Sequence, residues 1–91
     1  MRVKGETIVA ICDEDILGKK FSEGELKLWV NPEFYGKKLV SAKEAIETLS
    51  NASIGNIVGK NIVRHAISAG LVLPENVIEV EGVPHAQILW L

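Results

Sequence analysis

Ninety-one residues, 47% hydrophobic and 24% charged, have the size and balance of one ordinary globular domain spanning 1–91. A formal net charge of -2 argues against broad, sequence-independent nucleic-acid binding, which needs a cationic surface, but leaves room for a local basic patch. Cys12 is the sole cysteine, so an intrachain disulfide is impossible and a cysteine zinc site lacks partners.

No stretch has the apolar length of a membrane span, and the polar opening Met1–Glu6 is unlike a signal peptide. The expectation is a cytoplasmic protein with no membrane partner. Along the chain, Thr7–Cys12 is continuously apolar and β-rich, as in a central strand covered on both faces. Asp13, Glu14 and Asp15 end it as a solvated acid cluster without calcium-loop spacing. From Leu26 to Val30 the pattern alternates, with Leu26, Leu28 and Val30 on one face and Lys27 and Trp29 on the other. Asn31-Pro32 stops that strand, and Phe34-Tyr35-Gly36 reads as an aromatic plug over one end of the core.

Ser41 with Glu44 three residues later forms a capping box for a short helix, Ala42–Leu49, burying Ala45, Ile46 and Leu49. The stretch Ala52–Leu73 reads as one long buried helix, the core of the domain. Its apolar side carries Ile54, Val58, Ile62, Ala66 and Ala69, with Gly55 and Gly59 beside them for close packing. Gly70 ends it in a left-handed conformation. Glu81-Gly82 then joins two final strands, Val77–Val80 and Val83–Leu89, with Pro84 at an edge or at a strand's first residue. Strands, two helices and a hairpin predict an α+β fold: a small, mostly antiparallel sheet with two helices packed on one face.

Candidates for chemistry are few. Gly55-Asn-Ile-Val-Gly59-Lys60 falls short of a phosphate-binding loop, with three residues between its glycines and Asn61 where Ser or Thr is needed. On one helix, Asn56, Lys60 and Arg64 would form a cationic stripe able to hold an anion; a merely solvated face is the competing reading. His65 and His85 are the neutral-range acid–base groups. His65 fits a core histidine, and His85 is the sole candidate catalytic residue, oriented by Val83-Pro84. Cys12 reads as an inert buried thiol. Neither a metal site nor a cofactor motif is complete.

Cys12-Asp13-Glu14, Leu17-Gly18-Lys19, Phe34-Tyr35-Gly36, Asn56-Ile57-Val58-Gly59 and above all Gly82-Val83-Pro84-His85-Ala86-Gln87 resemble the archaeal family called domain of unknown function 424. The resemblance runs over nearly the whole chain. It implies a small stand-alone archaeal cytosolic protein and no activity, with a slight lean towards translation.

Three functions compete. The leading one is a non-catalytic binding module for RNA or a ribonucleoprotein partner, using Lys19, Lys20, Tyr35, Lys37, Lys38, Asn56, Lys60 and Arg64 as anion or RNA contacts. The second is a small enzyme or phosphorylated-metabolite binder pairing His85 with Lys60 and Arg64. The third is a self-association or protein-interaction module through Trp29 or Trp90.

Overall fold

The computed structural model describes residues 2–3, 6–36 and 38–89. In chain order they form β1 (Arg2–Val3), β2 (Glu6–Cys12), β3 (Lys20–Glu23), β4 (Leu26–Trp29), α1 (Pro32–Tyr35), α2 (Ala42–Ser50), β5 (Ile54–Val58), α3 (Lys60–Ser68), β6 (Ile78–Val80) and β7 (Val83–Leu89). Short 3-10 turns lie at Glu14–Ile16 and Pro74–Asn76. Five strands make one sheet in the order β1-β2-β5-β7-β6, and β3 and β4 make a separate hairpin. Every pairing is antiparallel except β2 with β5, so the fold is α+β with a mostly antiparallel sheet.

Period-two alternation sorts the sheet into two faces. Val9, Gly55 and Ile88 stand side by side across β2, β5 and β7, as do Ile11, Ile57 and Ala86. Ile57, Ala86 and Ile88 join one buried cluster with Ala45 and Leu49 of α2 and Ile62, Val63 and Ala66 of α3. Both longer helices therefore lie on one face. Burying a side chain such as Leu49 or Ile57 is worth about 1.5–3 kcal/mol, so this layer supplies most of the core's stabilisation. Val30, Val58 and Val80 are also buried but lie outside that cluster. The register puts Val58 and Val80 on the opposite face, and the β3–β4 hairpin packs beside β6.

The single helix expected over Ala52–Leu73 is replaced by β5, a break at Gly59, and α3. The apolar residues Ile54, Ile57 and Val58 form a run of strand length, which periodicity alone does not separate from a helix turn. Gly59 decides between them. Its φ of 124 and ψ of 151 lie where essentially only glycine goes, far from any helix. Gly55 does serve close packing, but from a strand: a methyl group there would stand 2.9 Å from Leu49 Cδ2 of α2.

Other local readings hold. Ser41 Oγ accepts from Glu44 N at 3.1 Å and opens α2, while Gly70 turns left-handed after α3 with φ 76. Glu81 and Gly82, with φ 53 and 78, make the paired positive-φ turn that hairpins favour. Pro84 departs from its expected place, being the second residue of β7, an interior strand. The missing N–H would face Gly59, whose carbonyl already accepts from Val63 N of α3 at 3.1 Å. The ladder ends there in any case, so the proline leaves no acceptor unpaired.

Candidate functional site

At the end of β5 the chain passes through Gly59 straight into α3, a strand–glycine–helix arrangement of the kind that cradles phosphate. Here the helix terminus is already filled. Asp13, at the end of the neighbouring β2, accepts from Asn61 N at 2.8 Å and Ile62 N at 2.9 Å. A carboxylate in that position satisfies orphan donors and faces the positive end of the helix dipole. The acid cluster read as solvated thus contains a tertiary cap, and its 48-residue separation from Asn61 hides it from local patterns.

The cationic stripe of Asn56, Lys60 and Arg64 is dissolved by the same break. Asn56 belongs to β5 and faces away from the helices, whereas Lys60 and Arg64 are exposed on α3. Arg64 Nη2 donates to Asn61 Oδ1 at 3.1 Å. Both cations line a cavity with Glu79 and Pro84. Because Pro84 is on the helix side of β7, its neighbour His85 points to the other face, and the structure does not bring His85 to Lys60 or Arg64.

On that second face two of the stretches carrying the family resemblance, Asn56–Gly59 and Gly82–Gln87, meet. Asn56 lies opposite Gln87, whose Nε2 donates to Asn56 Oδ1 at 3.4 Å, and His85 lies opposite Val58. His85 is half-buried, and that desolvation lowers its pKa below the ordinary 6.5. As pH falls below 6.5 the unfolded chain takes up this proton first, so stability is lost towards the lower folded-state pKa; above 6.5 the group contributes nothing. His85→Gln should flatten the fall in urea midpoint between about pH 7.5 and 5.5 relative to the native chain. Identical slopes for the two proteins would contradict this placement. Cys12 shares this face; its thiol is raised to about 11 by burial, then by Asp13 and Asp15. It therefore remains an unreactive thiol at neutral pH.

The cations and aromatics gather differently from the sequence reading. In the hairpin Lys20 lies opposite Trp29 and Ser22 opposite Lys27, so the register puts all four on one face. Trp29 is 52% exposed, and Lys20 Nζ sits 5.3 Å from its ring centroid. Lys27 was already on the Trp29 side of the sequence alternation, but only the strand register joins Lys20 to them. The hairpin is anchored along the outer edge of β3, where Ser22 N donates to Glu81 Oε2 at 3.1 Å and Glu81 N donates to Glu23 Oε1 at 2.7 Å. The Glu81 carboxylate thus lines the same cavity as Lys20, Lys27 and Trp29.

The remaining candidates are scattered. Lys19 is exposed beside Asp13 and Asp15, and Lys38 pairs with Glu44 at 3.5 Å. Tyr35 is half-buried in α1 against β2, packed edge-on to Phe34 at 5.0 Å; burial, then Cys12, raises its pKa. Lys37 and Trp90 lie outside the described residues. Among the described residues no group of three His, Cys, Asp or Glu side chains could hold a metal, and no helix is long and apolar enough to cross a membrane.

Fold and surface define a small α+β protein whose sheet is clad by helices on one face and carries an appended two-stranded hairpin with Lys20, Lys27 and Trp29 on one of its faces. The chain belongs to the family described as protein of unknown function, DUF424, whose profile matches residues 1–91. It is similar to an uncharacterized conserved protein from Methanopyrus kandleri, known from a crystal structure. That similarity has a TM-score of 0.75 and 27% identity, and covers 96% of this chain and 84% of that one. No functionally curated protein matches.

Proposed function

We propose that the protein is a non-catalytic module that binds single-stranded RNA, free or within a ribonucleoprotein, on the outward face of the β3–β4 hairpin. One observation carries this reading: an exposed Trp29 flanked on the same face by Lys20 and Lys27. An indole with open surface stacks on any base, and flanking ammonium groups meet the adjoining phosphates. This combination needs no cationic surface overall, which reconciles it with the net charge of -2. Two lysines imply shallow salt dependence, with a log–log slope of about -1.4.

The test is fluorescence titration of the protein with a labelled single-stranded RNA at low salt. Trp29→Ala should weaken binding by about 1–3 kcal/mol, the usual worth of one stacked base. Lys20→Glu and Lys27→Glu should each weaken it and flatten the salt slope. Absence of binding at low salt, or equal binding by Trp29→Ala, would remove the proposal. Light scattering covers the competing role of the same surface: a concentration-dependent mass that Trp29→Ala abolishes would assign the hairpin to self-association instead.

A further inference from the structure

The backbone of β2 leaves part of the sheet open. Asp13 N donates to Val58 O and Ser53 N to Thr7 O, so the odd-numbered residues of this segment turn their peptide groups towards β5. Even-numbered residues turn theirs outward. β1 covers only Glu6 and Thr7 in its described pairing. The outward N–H and C=O groups of Ala10 and Cys12 have no partner within the described residues. Unpaired groups along a strand edge are a template for another strand, and natural edges are usually covered or shielded by charge. The residues here, Ala10, Ile11 and Cys12, are uncharged.

This edge forms one wall of a cavity of about 630 Å³. Ala10 and Ile11 line it on the strand side, Phe34 and Tyr35 of α1 and Val40 beyond it, and Glu33 stands among the lining residues. Lys38, Glu44 and Thr48 line it too, so the groove has an apolar floor, a polar rim and a row of backbone donors and acceptors along one side. Glu33 makes no ion pair among the described residues, whereas Glu44 is held by Lys38.

We infer that this groove takes an extended peptide segment of a partner protein, added to β2 at Ala10 and Cys12 as a further strand, with a basic side chain of the peptide reaching Glu33. Main-chain hydrogen bonds supply affinity in this mode and alternate side chains supply selectivity. The site is separate from the hairpin surface and does not depend on its reading.

The experiment selects random nine-residue peptides by phage display on the intact chain and titrates the enriched sequence as a fluorescent peptide. Basic, apolar-alternating peptides should be enriched, and Ala10→Pro should weaken binding tenfold or more. Proline removes an outward N–H while leaving the β5 ladder untouched, which edge strands tolerate. Glu33→Lys should weaken it several-fold. On the native chain, the peptide should slow amide exchange at Ala10 and Cys12, a readout independent of how the variants fold. Failure to enrich any peptide, unchanged binding by Ala10→Pro, or exchange protection confined to the hairpin would each overturn the inference. So would a dimer that Ala10→Pro dissociates, since a second copy would then be the occupant.

Discussion

Replacing Gly59 by alanine should destabilise the fold by about 1.5–5 kcal/mol, read as a lowered urea midpoint or a melting temperature lower by about 6 °C or more. Two costs add. An alanine at φ 124 and ψ 151 is strained by about 1–3 kcal/mol, because that region is closed to residues with a Cβ. The added methyl would also stand 2.8 Å from Asp13 Cβ and closer still to its carboxylate carbon. Asp13 must then move and release Asn61 N and Ile62 N, a cap worth about 0.5–2 kcal/mol. The second cost is separable. In an Asp13→Ala background the same substitution should cost less, since the cap and the carboxylate are already gone; backbone strain and the close approach to the Cβ of residue 13 remain. A rise in midpoint for Gly59→Ala would restore a continuous helix through this stretch and overturn the strand–helix boundary.

The sign of that effect also follows from the sequence, but for a different reason. Read as mid-helix, Gly59 would lose stability on substitution through overpacking; in the fold it loses stability through backbone conformation and a distant carboxylate. What the chain displays locally was legible: the Ser41 cap, the Gly70 terminus, the Glu81-Gly82 turn and the alternation of Leu26 to Val30 all appear as expected. Information carried across the chain was not. Asp13 caps a helix 48 residues away, and a run such as Ile54–Val58 becomes a strand because β2 and β7 lie on either side of it. The same limit governs the surface. Lysines scattered in sequence do not reveal which share a face, and it was the pairing of Lys20 with Trp29 that gathered the hairpin site while Asn56, Lys60 and Arg64 separated.

Truncating Leu49 should have a comparable effect, and its size should depend on Gly55. Leu49 is fully buried where α2 meets the sheet, so Leu49→Ala should cost about 2–5 kcal/mol through lost burial and the cavity left behind. Gly55→Ala alone should destabilise by about 1–3 kcal/mol, since its methyl would press within 2.9 Å of Leu49 Cδ2 and 3.5 Å of Ile88 Cβ. The first contact is with the end of a flexible side chain and can yield; the second is with a neighbouring strand and is ordinary packing. Once Leu49 is shortened, the new methyl enters space that Cδ2 has vacated. The double variant should therefore be more stable than the sum of the single losses predicts, by about 0.5–3 kcal/mol, the range for residues in direct contact. Denaturant midpoints of the four proteins give this coupling directly. Strict additivity would mean that Gly55 and Leu49 do not touch, and that the glycine in β5 is not what lets α2 settle against the sheet.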